Sequence, residues 1–573
     1  MNKNLRVISE RVDDIPLLLA ELARMGIGEL LDRYFPTHGN WEGLSLGGVA
    51  SIWLSHLLSE GDHRLNHVEG WAVPRLGTLS CCLGEPVGRL DFTDDRLALV
   101  LRRLSDTECW DAFERALSGT LLRVYDLARE VVRVDSTSAC GYWQVSEEGL
   151  FQLGHSKDHR PDLPQVKVML SSLDPLGMPI CTEVLSGERA DDPLYVPAIR
   201  KVQQTLHKRG LLYIGDAKMA ALETRAFTAH SGDFYLCPLP KTQVSEEELE
   251  VYLHPVWEEE QALTPIYRAR AEGEPEKIAE GYQQIKSMTA KVGGASFTWV
   301  ERHLVVRSLK LAESAQKKLD KRIAKAQAQL LALNERKQGK KRYHSREEMQ
   351  PRVEEILEES QVQDLLEVAY HQSGSRRRLR TYKEKPDRVA DEREVNVHVS
   401  LNEALYQHTI QRLGWRVYAS NAPQEYLPLH KAVLAYRNEF ILERGFGRLK
   451  GKPLSLRPMY LQCEEHILGL IRLLSLALRV LTLIEYQVRR QLAKQKSALT
   501  GLYKGNPKRA TTKPTTEQML KAFQEITLSI IQHHQQTTYH VTPLSQIQSR
   551  ILELLSLSSN IYTKLAAQFQ KPG

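Results

Sequence analysis

The chain has 573 residues, room for three or four domains at roughly 100–200 residues each. Its 42% apolar and 26% charged composition is that of an ordinary soluble globular protein and excludes a disordered or fibrous chain. A formal net charge of +6 is a mild bias toward polyanionic partners, and 7 irregularly spaced cysteines with no C-x-x-C pair exclude a disulfide framework and a zinc ribbon.

The first fourteen residues, MNKNLRVISERVDD, lack the apolar core of a signal peptide, which predicts a cytoplasmic protein. Residues 1–105 read as a helical domain. Apolar residues recur at three-and-four spacing over 15–35 and 46–61, and Thr93 followed by Asp94 and Asp95 predicts the cap of another helix. Strands begin near residue 130. The run 131–138 is β-branched and ends in polar residues, and 167–187 reads as two strands joined at Asp174-Pro175-Leu176-Gly177. A helix follows at 190–206, opening with acids and a proline, and 211–240 reads strand, helix, strand.

Residues 241–410 break this rhythm and read as an inserted α+β domain between core segments 128–240 and 411–486. Within it Leu319, Ile323, Ala326, Leu330 and Leu333 form a heptad-like stripe, and a second helix near 345–369 is expected to pack back on it across the basic turn 337–346. A strand near 415 precedes one long helix ending at Gly451. Residues 467–486 are nearly long and apolar enough to span a bilayer, but Arg472 and Arg479, seven apart on one face, favour a buried helix with a basic stripe. The rest, 487–573, reads as a basic linker to about 516 and a helical tail.

Phosphodiester chemistry wants isolated acids at the ends of buried strands and on a helix facing them, where they can hold divalent ions. Asp135 follows the apolar run Val131-Val132-Arg133-Val134, and Asp216 follows Leu211-Leu212-Tyr213-Ile214-Gly215. Each alone reads equally as a turn or cap aspartate. A third acid, Glu443, shares a seven-residue spacing with Tyr436 and Lys450, so a continuous helix would align all three. His155 and His159 have metal-ligand spacing but no further clustered ligands; with Lys157 and Arg160 they read as a polar turn near the site.

Three blocks, VRVDSTSACGYW, LYIGDAKMA and YRNEFILERGFGRLKG, resemble in order those of the DDE transposases of bacterial insertion sequences, the insertion-sequence-four-like group in particular. Tyr436, Glu443 and Lys450 match the third block, as do Phe446 and Leu449; Glu439 stands where that block has an arginine. The segment from Gly154 to Leu170 also looks like one found between the first two acids in a subgroup of these enzymes. The resemblance spans about 130–240 and 410–465. It implies an α/β fold with an RNase H-like mixed-sheet core interrupted by a large insertion, accompanied by a helical N-terminal domain; that separate block, with Arg102 and Arg103 near its close, is expected to recognise DNA ends.

It further implies catalysis and metal binding by Asp135, Asp216 and Glu443, with two Mg2+ ions for which Mn2+ can substitute. Tyr436, Lys450, Arg444, Arg448, Lys157 and Arg160 are the implied DNA contacts. The implied partners are the terminal inverted repeats and the target DNA, bound by a homodimer associated with the nucleoid and not with a membrane. The alternatives are an RNase H-like nuclease without strand transfer, or a repurposed DNA-binding protein. Glu439 is expected to pair with a cation such as Arg437, with Arg444 or Arg448 supplying the phosphate contact of the missing arginine. The basic run 487–516 is expected to touch phosphates without reading bases.

Overall fold

A mixed nine-stranded sheet organises the computed structural model, which describes residues 5–270, 273–335, 341–379, 388–533 and 536–568. The chain opens with strand β1 (Leu5–Arg11) and then runs through helices α1 (Ile15–Arg24), α2 (Ile27–Tyr34), α3 (Leu46–Glu60), α4 (Leu65–Ala72), α5 (Leu76–Leu83), α6 (Asp94–Leu104) and α7 (Thr107–Val124). Ser45, Thr93 and Asp106 start α3, α6 and α7 by accepting from the backbone N–H three residues on, as their short polar side chains allow. Helix α3 is buried along nearly its whole length, which makes it the central rod of this block.

The sheet follows. Strands β2 (Val131–Cys140), β3 (Gln165–Leu173) and β4 (Met178–Ser186) form an antiparallel meander, then helix α8 (Tyr195–Leu206), β5 (Leu212–Ile214), α9 (Leu222–His230) and β6 (Phe234–Pro238) alternate. In space they lie in the order β4-β3-β2-β5-β6, with β2, β5 and β6 mutually parallel. Third, second, first, fourth, fifth is the order of an RNase H-like core. Gly177 turns β3 into β4 with a positive φ of 72°, a conformation that glycine adopts without steric penalty.

The inserted segment divides into two parts. Helix α10 (Glu246–Trp257) leads to β7 (Thr264–Arg268), β8 (Glu276–Val292) and β9 (Ala295–Ser308), and these strands extend the same sheet. Helices α11 (Leu309–Leu331) and α12 (Arg346–Ser360), the hairpin of β10 (Leu366–Leu379) and β11 (Arg388–Leu401), and helix α13 (Glu403–Gln411) gather round a core of their own. There Leu319, Ile323, Ala326 and Leu330 pack with Met349, Val353 and Ile356, so the heptad stripe is the seam between two helices. Residues 336–340, most of the basic part of the turn between them, lie outside the described residues. Strand β12 (Trp415–Ser420) then slots between β6 and β9 and joins the insertion to the core sheet.

The chain closes with α14 (Leu429–Arg437), α15 (Phe440–Lys450), α16 (Glu464–Lys494), α17 (Thr516–Lys521), the hairpin β13 (Thr527–His533) and β14 (Gln536–Val541), α18 (Gln546–Leu554) and α19 (Asn560–Gln568). Helix α16 is long and apolar enough to cross a membrane, yet 94% of its most apolar window is buried inside the protein. Two of its arginines are held there: Arg472 donates to the carbonyls of Leu104 (2.7 Å) and Asp106 (3.1 Å), and Arg479 pairs with the buried Glu114. Gly469 permits close packing of α16 on α6, since a Cβ there would lie 2.1 Å from the Leu101 carbonyl oxygen.

Three readings of the tail and the helices change. The helix read as continuous through 451 is interrupted at Asn438 and Glu439, where N–H groups bond three residues back (Glu439 to Tyr436, 3.1 Å; Ile441 to Asn438, 3.0 Å). The basic run 487–516 is not a free arm: α16 continues to Lys494, Arg490 pairs with Asp126, and Leu499 and Leu502 are buried. The tail is not wholly helical, because β13 pairs antiparallel with β1 from the other end of the chain. One hydrophobic core therefore runs from Val12 to Leu565 and takes in the N-terminal helices, the sheet and the C-terminal helices together.

Candidate active site beside two parallel strands

Strands β2 and β5 run side by side with Arg133 opposite Ile214 as their last paired residues. Two residues further along stand Asp135, still within β2, and Asp216, just beyond the end of β5, so the register brings these carboxylates near one level. Pairing stops there because β5 ends, and Gly215 lets its backbone turn close to helix α8 and the short turn beyond: a Cβ would lie 2.6 Å from the Met219 sulfur. Asp216 caps that turn, its Oδ1 accepting from the Lys218 N–H (2.9 Å) and from the Tyr195 hydroxyl (2.6 Å).

Asp135 is largely enclosed. Its Oδ1 accepts from the Ser136 N–H (2.7 Å) and from Lys157 Nζ (3.1 Å), and Lys157 also donates to the Ser136 carbonyl (2.7 Å). Burial pushes the Asp135 carboxyl up to about 6, Lys157 opposes the rise, and Asp216 adds to it. A further acid, Asp191, stands behind: it takes Lys167 Nζ (2.6 Å) and Ser136 Oγ (3.1 Å) and lies 3.9 Å from Lys157. Burial pushes Asp191 up, but these cations and hydrogen bonds outweigh it and hold the group below its usual range.

Asp135 and Asp216 line one small cavity with Tyr436 and Glu439, which come from the α14–α15 junction. The cavity measures about 10 Å³. Arg133, 2% exposed, fixes the junction to the sheet by bonding both Asp174 and the Ala435 carbonyl. Glu439 takes the hydroxyl of Tyr436; burial, then Glu443, then Asp216 raise its pKa. The expected ion pair is absent among the described residues. Arg437 turns away to the Ile278 carbonyl (3.2 Å) and Ser308 (2.9 Å).

Glu443 sits one turn beyond Glu439 on α15, exposed to solvent and outside the residues that line the cavity. Tyr436 is buried against Tyr418, ring centroids 4.8 Å apart, and the break at 438–439 leaves it out of phase with Glu443 and Lys450. Among the described residues no three His, Cys, Asp or Glu side chains converge as a ready ligand group. The donors nevertheless fit a hard divalent cation in kind: they are carboxylate oxygens, and Asp135 already holds the ammonium of Lys157 where a cation would be attracted.

No protein-family model matches the chain, and no curated protein matches it. Among solved structures it is similar to the cryo-EM structure of a piggyBac transposase synaptic complex with hairpin DNA, at 7% identity and a TM-score of 0.32, over 97% of this chain and 80% of that one. The chemistry is read from the site's own residues.

The remaining expected DNA contacts are mostly engaged within the protein. Arg444 bonds Glu485 with both terminal nitrogens, and Arg448 is buried between Glu485 and Glu517. Lys450 pairs with Asp158 (2.8 Å), which Arg457 also reaches (2.7 Å). Arg160 is exposed beside Asp162 (2.7 Å), and Lys157, also exposed, bonds Asp135. Sequence reasoning passed over Tyr195 and Asp191. The signal for both was the acid-rich start of α8, which reads locally as a helix opening and nothing more.

Proposed function

We propose that the chain is a metal-dependent enzyme that cleaves DNA at the ends of a mobile element and joins it to a target, using Asp135, Asp216 and Glu443. The observation that carries this reading is the arrival of Asp135 and Asp216, on adjacent parallel strands, in one cavity flanked by the helix that bears Glu443. A bound Mg2+ or Mn2+ would neutralise the phosphate and activate the attacking oxygen, a water first and a 3′-hydroxyl second. Asp135 and Asp216 would hold it, with Glu443 approaching from α15 and Glu439 adding negative charge at the cavity wall. Tyr195 orients the Asp216 carboxylate by its hydrogen bond. Lys157 must leave Asp135 for a metal to bind there, and its released ammonium is then free for a phosphate oxygen.

In this reading the partners are terminal repeats and target DNA, a pair of subunits brings two ends together, and the protein works in the cytoplasm at the nucleoid. The test is a cleavage and joining assay on DNA carrying the element's ends. Asp135→Asn and Asp216→Asn are expected to lose cleavage and keep DNA binding. Wild-type protein that cuts without joining would identify the nuclease alternative, and full activity in either variant would reject the site.

A further inference from the structure

Beside the carboxylate cavity runs a second, much larger opening of about 1040 Å³, between α15, the C-terminal half of α16 and the loop that follows it. Asn438, Phe440 and Ile441 line this groove, while Tyr436, Glu439 and Leu442 line the cavity, so the α14–α15 junction is the wall between them. At about 100° per residue, Glu443 falls about 40° from Glu439 and about 60° from Phe440 round α15. It therefore occupies the helix face that joins cavity to groove.

The lining chemistry is specific. Phe440 is 58% exposed, an aromatic ring presented to solvent one residue from Glu439. Tyr486 stands in the same groove under the Arg490 guanidinium, 5.8 Å from the ring centre. Five cationic side chains line the groove, Arg444, Arg489, Arg490, Lys496 and Lys513, against one carboxylate, Glu485. Glu485 is consumed by Arg444 and Arg489 as well as by Arg448. Lys496 and Lys513 are exposed and have no acidic partner among the described ion pairs. Lys496 stands where the chain leaves α16 with a positive φ of 47°, which directs the following loop back along the groove.

We propose that this groove holds an unpaired segment of DNA, one or more bases lying against Phe440 and Tyr486 and the backbone against Lys496 and Lys513. The proposal rests on the function proposed above and assigns the path of the strand next to the reacting phosphate. Excess positive charge selects a polyanion, and the exposed ring of Phe440, with the half-buried Tyr486 beside it, selects unpaired bases over a duplex, whose bases are already stacked.

The experiment uses the full-length protein in EDTA and measures fluorescence anisotropy with labelled oligothymidine and with a duplex of equal length. Phe440→Ala is expected to weaken oligothymidine binding about tenfold and leave duplex binding nearly unchanged. Phe440→Trp should retain affinity and show fluorescence quenching on binding, which separates stacking from misfolding. Replacing Lys496 and Lys513 together by Gln should reduce the log–log salt slope for oligothymidine by about 1.4, the loss of two phosphate contacts. Unchanged oligothymidine affinity in the Phe440→Ala and lysine variants overturns the proposal. So does a change of oligomeric state in Phe440→Ala without loss of oligonucleotide affinity, which would make the groove a contact between copies. Wild-type protein that binds and cuts duplex but ignores oligothymidine overturns the groove alone; binding of neither DNA overturns the proposed function with it.

Discussion

Glu439 and Glu443 lie one helical turn apart in different surroundings. Glu439 faces the cavity with Asp135 and Asp216, and Glu443 faces solvent one turn away. If Glu443 closes on the metal with DNA, Glu443→Gln should abolish cleavage at any Mg2+ concentration, while Glu439→Gln should shift the Mg2+ requirement upward and recover at saturation. The opposite pattern in a magnesium titration would make Glu439 the third ligand. A second residue-scale effect concerns stability. Asp14 is buried; burial most of all, with Asp13 and Glu60 adding, pushes its carboxyl up to about 7 from 3.8. Between those values the folded chain keeps a proton that the unfolded chain has released. Unfolding free energy should therefore fall as pH rises through that window, by up to about 1.4 kcal/mol per pH unit from this group. Urea unfolding from pH 4 to 8 should show the fall, and Asp14→Asn should flatten it.

At the scale of elements, α16 runs through the hydrophobic core and the α14–α15 junction walls the carboxylate cavity. Arg479 and Glu114 are both almost fully buried, at 0% and 1% side-chain exposure. Arg479→Met leaves Glu114 with Lys201 as its remaining cation, 3.6 Å away, and should cost about 3–5 kcal/mol in urea unfolding, much of it recovered by also changing Glu114→Leu. The junction is held differently. Arg133 ties its carbonyl and Asp174 together from the sheet side. Arg133→Met should thus lower the cleavage rate while DNA affinity stays near wild type, because the displaced group is the wall of the cavity and not a surface contact. Equal losses in affinity and rate would place the damage elsewhere.

For the whole molecule, the decisive fact is that both ends of the chain build one unit. β1 supplies an edge strand to β13 in register from Leu5 opposite His533 to Arg11 opposite Thr527. Removing residues 1–11 should expose the β13 edge, lower the melting temperature by several degrees and promote aggregation, read by calorimetry and light scattering. The N-terminal helices are not separable either: α6 packs on α16 so closely that Gly469 is required. An isolated fragment of residues 1–105 is expected to be unfolded by circular dichroism, and end recognition must be tested by surface substitutions in the intact protein.

The sequence by itself determined what short-range physics controls. The cap at Thr93, the turn at Gly177, the seam from Leu319 to Leu330 and the burial of α16 follow from spacing and side-chain type within one or two helical turns. Asp135 and Asp216 were legible for the same reason, since a carboxylate after a β-branched run stands out locally, although β2 continues past Asp135 to Cys140 and only Asp216 lies beyond its strand. Tertiary structure alone decided the rest. Whether Arg444, Arg448 and Lys450 meet DNA or an internal acid depends on Glu485, Glu517 and Asp158, which arrive from distant segments. The pairing of β1 with β13, and the entry of β7, β8 and β9 into the core sheet, are set by non-local backbone hydrogen bonds that leave no local periodicity. The break at Asn438 and Glu439 has no Pro or Gly to announce it; it is made by the packing of Tyr436 against Tyr418 and the tie from Arg133, contacts that exist only once the sheet has formed.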